Sequence, residues 1–473
     1  MRIHSVRLGH AMNSSSSHSL IFLAEARDDD GGGYRGHYGW ENFTLVTAGA
    51  KRAYLAQTLF HNLVEMAGSE VAAVVAEAWA GAAPDPDGYI DHQSVLALPM
   101  DWAGKAVDRE FFQAYLAHVL RDDVAVLGGN DNDDGHPLAG QGPDASGGLK
   151  TEESSLPWRC RRDPAGHWTL FNRRTGAKLR IDFDDMASAP AKAGAPELVD
   201  VKISDYCPLG CAWCYQDSDE HGKHAPRETL SSVARALGDL KVFECAIGGG
   251  EPTLHPEFGT FLAELRGRGV NANFTTRLLG WLEDPQKVKH WLGDTGGFAY
   301  SAHNAGDVLA MDRACKRAGV DTSRTTAQHV MGTSGRADFG AVLAACAETR
   351  VPLTLLGFKA VGRGAGSAAV LPHDWWIEDV KASQLWQVRI DTALAKQYED
   401  ALVAADVSRH QFETAEGAFS CYLDAVSGEI APSSYCGREK YMSWPDPPAH
   451  ARHGGPEIGA DALRGLFAAI EAA

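Results

Sequence analysis

From residue 198 onward, short apolar runs alternate with longer stretches whose apolar positions fall three and four residues apart. The runs begin near Leu198, Phe243, Val270, Phe298, Arg324 and Leu353, so successive starts lie 45, 27, 28, 26 and 29 residues apart. That pitch fits a strand, a helix and two connections, which predicts repeated βα units and a parallel sheet. Helix punctuation agrees: Thr229 opens one helix, Pro256 sits at the start of another that stops at Gly269, and Asp307 begins one that ends at Gly319. Six strands are too few for the usual closed barrel of eight.

The pattern before residue 198 is different. Residues 51 to 82 carry apolar positions at helical spacing and read as core. Residues 167 to 183 read as a hairpin turning near Thr175-Gly176, a bridge from the N-terminal part to the βα units. The chain opens with a strand-like segment interrupted by Asn13-Ser14-Ser15-Ser16-Ser17-His18-Ser19 and followed by the apolar Leu20 to Leu23. Four serines form either a flexible loop or an ordered polar turn between two strands. A short strand, Val124 to Leu127, runs into a Gly, Asn and Asp run from Gly128 to His136 and a Gly/Ser/acidic stretch, read as a mobile loop near 128–155. With Gly135 as sixth position that run imitates a calcium loop, but its twelfth position is Gln141 where a bidentate Glu is needed. Asp91, His92, Asn130 and Asp131 are further candidates to face a substrate. The predicted organisation is an N-terminal α+β accessory domain (1–195), a βα domain (196–410) and a C-terminal extension (411–473).

The densest chemistry is Cys207-Pro208-Leu209-Gly210-Cys211-Ala212-Trp213-Cys214. Pro208 and Gly210 keep this segment from being helical, so three thiolates can wrap around one centre. A four-iron cluster held by three cysteines keeps one iron without a protein ligand, open to an exogenous chelator. Zinc needs four ligands, and His221 and His224 complete a site only at unusual spacing. Nine cysteines in 473 residues, with no recognisable secretory leader, do not form a disulfide framework. Thirty-four residues beyond Cys214, the apolar Phe243-Glu244-Cys245-Ala246-Ile247 leads into Gly248-Gly249-Gly250-Glu251-Pro252. Glycines there allow close backbone approach to a ligand, and Glu251 offers an acceptor for an ammonium group.

The C-x3-C-x2-C spacing, with aromatic Trp213 just before the last cysteine and a Gly-Gly-Glu segment after the next strand, resembles the radical S-adenosylmethionine (SAM) superfamily. The resemblance implies an α/β fold built on a partial (β/α)6 TIM-like barrel. It implies a [4Fe-4S] cluster on Cys207, Cys211 and Cys214, and SAM contacted by Trp213, Gly249, Gly250, Glu251 and Pro252. It also implies reductive cleavage of SAM to a 5′-deoxyadenosyl radical that abstracts hydrogen from a substrate. Ligands of parallel βα sheets sit at the carboxyl ends of strands. Thr275, Thr276 and Arg277 after the third strand, Ser301, His303 and Asn304 after the fourth, Gln328 and His329 in the fifth and Lys359 after the sixth are therefore candidate contacts. Thr276, Ser301 and Arg324 are the preferred ones for SAM. Cys421 and Cys436 flank a hairpin-like segment, Asp424 to Pro432, which resembles the one before auxiliary-cluster cysteines in peptide-modifying members; the alternative is two free thiols. Cys315 and Cys346 read as core.

Charge and composition narrow the partners. The formal net charge of −18, from 62 acidic and 44 basic residues, disfavours a nucleic-acid groove, although Arg161, Arg162, Arg173 and Arg174 form a small basic patch. No apolar run approaches the ~20 residues of a membrane span. The expected protein is a cytoplasmic biosynthetic enzyme with a small-molecule or peptide substrate and an electron donor such as a flavodoxin or ferredoxin. Two alternatives remain: a peptide-modifying or sulfur-inserting enzyme with an auxiliary cluster, and a cluster-binding scaffold that does not turn over and whose N-terminal part binds a partner.

Overall fold

The computed structural model describes residues 2–7, 38, 43–45, 47–88, 90, 98–102, 106–121, 126–128, 158–164, 166–183, 191–366, 374–383, 385, 388–405, 407, 412–445 and 455–471. The serine run, the Asn/Asp run with its calcium register, and Asp91, His92, Asn130 and Asp131 lie outside them.

The N-terminal part holds strands β1 (Arg2–Arg7), β2 (Phe43–Leu45), β3 (Val126–Gly128), β4 (Trp158–Arg162), β5 (Trp168–Asn172) and β6 (Lys178–Asp182). Its helices are α1 (Ala48–Ala67), α2 (Ser69–Ala80) and α3 (Arg109–Val119). The helical stretch from 51 is broken in two at Gly68, whose φ of +77° stops one helix before the next begins. β4 to β6 and β1 form an antiparallel sheet in the order β1-β6-β5-β4, and the β5–β6 hairpin turns where Thr175-Gly176 predicts.

Beyond it run β7 (Leu198–Lys202), α4 (Arg227–Asp239), β8 (Glu244–Gly248), α5 (Phe258–Gly267), β9 (Asn271–Thr276), α6 (Pro285–Asp294), β10 (Thr295–Ser301), α7 (Ala305–Ala318), β11 (Thr325–Val330), α8 (Arg336–Thr349) and β12 (Leu353–Leu356). These six strands are parallel neighbours in sequence order, the parallel sheet that the pitch predicts and the partial (β/α)6 arrangement that the resemblance implies. Alternation sorts their side chains. Val199, Val201, Cys245, Ile247, Phe274, Phe298, Leu353 and Leu355 are buried in the core with Leu230, Leu237, Phe261 and Val308 of the helices. The residues between them, Asp200, Glu244, Asn273, Thr275, Gln328 and Thr354, take the other face, so the interior of the barrel is polar.

The remaining elements are α9 (Trp375–Ala382), β13 (Val388–Ile390), α10 (Thr392–Gln397), α11 (Glu399–Ala404), β14 (Ser420–Asp424), β15 (Glu429–Ala431), β16 (Met442–Ser443) and α12 (Ala460–Ala469). β13 extends the sheet beyond β12, while β14 pairs in parallel with β7 and carries β15 and β16. The chain after residue 411 thus continues the barrel sheet. Among the described residues no helix is long and apolar enough to cross a membrane.

Glu197, fully buried one residue before β7, joins the two parts. It accepts from Lys178 (2.7 Å), Arg180 (2.9 Å) and Thr169 (2.7 Å), all on the antiparallel sheet. Burial alone would raise this carboxyl, but Arg180 and Lys178 hold it well below the usual range. Arg161 does not belong to a surface basic patch: it is buried and donates to the carbonyls of Ala195, Pro196, Leu240 and Lys241, which ties β4 to the start of the βα units.

Candidate functional site

One cavity, about 1060 Å³ with its open mouth, lies at the carboxyl ends of β7 to β12. Cys207, Cys211, Trp213 and Cys214 line it from the loop after β7, Gly249, Gly250 and Glu251 from the loop after β8, Thr275, Thr276 and Arg277 from β9, Ser301 and His303 from β10, and Gln328 and Lys359 from β11 and β12. Residues up to 152 apart in sequence meet there because every parallel strand delivers its following loop to the same rim.

The cysteine loop leaves β7 through Asp205 and returns through Asp219, with Cys207 N–H donating to Asp219 O and Asp205 N–H to Lys223 O. Gly210 has φ +59°, which makes the turn between the first two cysteines. Next to it, a Cβ on Gly250 would lie 2.2 Å from Tyr206 O, and one on Gly249 2.4 Å from Ser204 O. The glycines therefore let the two loops touch. Gly250 N–H donates to Ser204 O (2.6 Å) and Glu251 N–H to Tyr206 O (2.8 Å), which fastens them together.

Glu251 is 2% exposed. Its Oε1 accepts from Thr253 N–H (3.2 Å), Thr253 Oγ1 (2.7 Å) and Thr276 Oγ1 (2.7 Å), and its Oε2 from Arg277 N–H (2.9 Å). Burial pushes the carboxyl up, and the hydrogen bonds only partly oppose it. Glu251 lines the cavity, and an Oε2 that accepts from Arg277 N–H has a second lone pair for a cationic donor. Thr276 thus reaches Glu251, while the Thr275 hydroxyl is buried without a partner in the cavity wall. Arg277 is pinned by Ser301 O (2.6 Å) and Asp307 (3.2 Å). His303 lies against Trp213, ring centroids 4.8 Å apart, and burial followed by Arg277 lowers its pKa to about 4, so it is neutral near pH 7.

The three thiols fit an iron-sulfur centre better than a single ion. Among the described residues no three His, Cys, Asp or Glu side chains are gathered as ligands of one metal ion, while the three loop cysteines all line the one cavity. A cluster, in which each thiolate holds its own iron, takes three such thiols. His221 is exposed and His224 bonds Ser204 Oγ through Nδ1, so neither completes a zinc site.

Several expectations are corrected. Arg324 is not at the cavity: it precedes β11, at the amino end of the sheet, and donates to the carbonyls of Leu292, Thr295 and Gly296. His329 faces α8 and is satisfied by Ala302 O and Ser334 Oγ. Asn304 caps α7, and Pro252 is buried at the first position of a short 3-10 turn. Cys421 is 2% exposed within the core, and Cys436 donates its thiol to Ser433 O, so the structure does not bring these two to a common site.

No local pattern in the sequence predicts the polar groups beside Lys359. Its ammonium lies 4.6 and 4.8 Å from the rings of Tyr215 and Tyr435 and 4.0 Å from Asp391 Oδ2. Burial works against that charge, yet Tyr215, Asp391, Glu416 and Asp200 outweigh it and hold the ammonium above the ordinary value. Burial pushes Asp200 and Glu416 up to about 7 each. Tyr435 donates to Glu416 (2.8 Å).

No curated protein matches the chain. Solved structures that match part of the chain include Streptococcus suis SuiB bound to S-adenosylmethionine, TM-score 0.43 and 11% identity over 58% of this chain and 81% of that one. SuiB bound to precursor peptide SuiA gives 0.41 and 13% over 51% and 60%, and BtrN in complex with AdoMet and 2-DOIA gives 0.27 and 10% over 58% and 85%. The family model of the Radical SAM superfamily matches residues 201–291, which run from β7 through the cysteine loop and the Gly-Gly-Glu turn into α6. Over those residues the chain is similar to the radical SAM superfamily.

Proposed function

We propose that this chain is a radical SAM enzyme that binds a [4Fe-4S] cluster on Cys207, Cys211 and Cys214 and cleaves SAM reductively, so that hydrogen is abstracted from a small-molecule or peptide substrate. The observation that carries the reading is that three thiols and the buried Glu251 carboxylate line one cavity from adjacent loops. A cluster held there by Cys207, Cys211 and Cys214 would supply the one-electron chemistry of reductive SAM cleavage, with the electron coming from a donor such as a flavodoxin or ferredoxin.

The chain's own residues do the rest. Glu251, held by four hydrogen bonds, is set to take the ammonium of SAM at Oε2. Gly249 and Gly250 allow the backbone to close on the ligand. Thr276 and Arg277 fix Glu251, and Ser301 and Thr275 offer hydroxyls at the same rim. Lys359, with Tyr215, takes the part of the rim after β12 and is assigned to the substrate side. Leu356, Phe358 and Val330 line the cavity between these polar groups and exclude water from it.

Anaerobic reconstitution with iron and sulfide, followed by a SAM-cleavage assay, tests the reading against the triple variant Cys207→Ala, Cys211→Ala, Cys214→Ala. The wild type should hold about four irons and release 5′-deoxyadenosine, and the variant neither. A wild type that binds the cluster but never cleaves SAM would make the chain a scaffold. Irons retained by the variant would restore an auxiliary cluster.

A further inference from the structure

Immediately after β12 the chain runs through Gly362-Arg363-Gly364-Ala365-Gly366, a short 3-10 segment pressed against the cysteine loop. A Cβ on Gly362, where φ is +57°, would stand 2.6 Å from Tyr215 O and 2.8 Å from Cys214 O. On Gly364 it would stand 2.5 Å from Lys359 O. Glycines at both positions let Arg363 between them approach the loop backbone. Its N–H donates to Cys214 O (3.0 Å), its Nε to Cys211 O (3.0 Å), its Nη1 to the Asp217 carboxylate (3.0 Å) and its Nη2 to Ser218 O (2.8 Å). The two cysteine carbonyls already accept from Cys214 N–H and Asp217 N–H in local turns, so Arg363 fills their second lone pairs. Asp217 itself has φ +54°, a left-handed conformation that a β-carbon disfavours, and the Arg363 guanidinium holds its carboxylate.

We propose that Arg363 is a positioning residue: by bonding Cys211, Cys214, Asp217 and Ser218 together, it holds the thiol-bearing loop in its cluster-binding shape from the far end of the six-strand array. This inference rests on the reading of the loop as a cluster site, but the shape of the loop is a property of the chain itself. The planar guanidinium fork serves three acceptors at once, which a lysine ammonium on a single flexible stem does not reproduce. Local turns alone leave the loop with few long-range bonds, and such segments open readily.

Hydrogen exchange on the metal-free protein tests it, comparing wild type with Arg363→Lys, Arg363→Gln and Asp217→Ala. The amides of Cys207, Cys214 and Asp217 should exchange roughly tenfold or more faster in Arg363→Gln, since each lost bond is worth several-fold in a local opening equilibrium. Arg363→Lys should recover little of the protection. Amides of β8 to β11 should keep their wild-type rates, which separates loop positioning from general destabilisation. Asp217→Ala removes one arm of the clamp at an exposed side chain; it should speed loop exchange by a smaller factor, and it keeps the test available if the Arg363 variants fold poorly. On reconstituted protein, loss of iron to a chelator should quicken in the same order. Unchanged loop exchange and unchanged iron loss in Arg363→Gln would overturn the proposal, as would full recovery by lysine. Should the wild type take up no iron, the cluster reading fails, while hydrogen exchange still decides whether Arg363 holds the loop.

Discussion

At the scale of single residues, chemistry separates the two halves of the site. Glu251→Gln should retain wild-type iron and sulfide yet bind SAM about tenfold to a hundredfold more weakly, because a charge-assisted bond to the ammonium, worth about 1.5–3 kcal/mol, becomes a neutral one; titration of SAM into the reconstituted variant measures it. Asp200 and Glu416 predict a pH effect of definite sign. Both are raised to about 7, so between about pH 4 and 7 the folded chain keeps protons that the unfolded chain has released. Their contribution to stability is present at low pH and is lost as pH rises through about 7. Asp200→Asn and Glu416→Gln should therefore melt above wild type at pH 8 and show the smallest gain at pH 5. The reason some residues were legible and Arg324 was not is directional. Residues that end a strand of a parallel sheet meet at the rim, as Thr276 and Ser301 do, whereas Arg324 precedes β11, and an apolar run alone does not show where the strand starts. The carboxylates around Lys359 come from separate loops and strands, and no local pattern joins them.

At the scale of elements, the loops after β7 and β8 function as one unit because of the glycines between them. Gly250→Ala puts a carbon 2.2 Å from Tyr206 O, a backbone atom that cannot turn aside, so one loop must shift. Iron retention and SAM affinity should fall together in this variant, in contrast to Glu251→Gln, where only SAM binding suffers; iron analysis and SAM titration on the same preparation distinguish them. The strands of the barrel were readable because each is a local apolar run at regular pitch. β14 was readable only as half of a hairpin. Its parallel pairing with β7, Ser420 beside Leu198 and Asp424 beside Lys202, is a contact across more than 200 residues, and nothing in the hairpin's own pattern specifies it. The ion pair between Lys202 and Asp424 (3.1 Å) fixes that register and could not be found without the pairing.

At the scale of the whole molecule, Glu197 couples the N-terminal sheet to the barrel. Glu197→Gln leaves the buried Lys178 and Arg180 short of a carboxylate, which should cost about 3–5 kcal/mol in chemical denaturation. Because the folded pKa of Glu197 is depressed, its stabilisation is complete above the ordinary glutamate range and disappears as pH falls below it, so the variant should lose most of its acid sensitivity at the junction. The clamp at Arg363 has a consequence in time as well as space. Its loop partners are made about 150 residues earlier, on the order of ten seconds at ribosomal speed. Through that interval the loop of Cys207, Cys211 and Cys214 has its local turns and its bonds to the loop after β8 but not the Arg363 clamp, and its thiols are open to oxidation and to stray metals. On the proposed reading, iron loading suits the finished chain better than the nascent one, and the thiols need protection from oxidation until the segment after the last barrel strand has arrived.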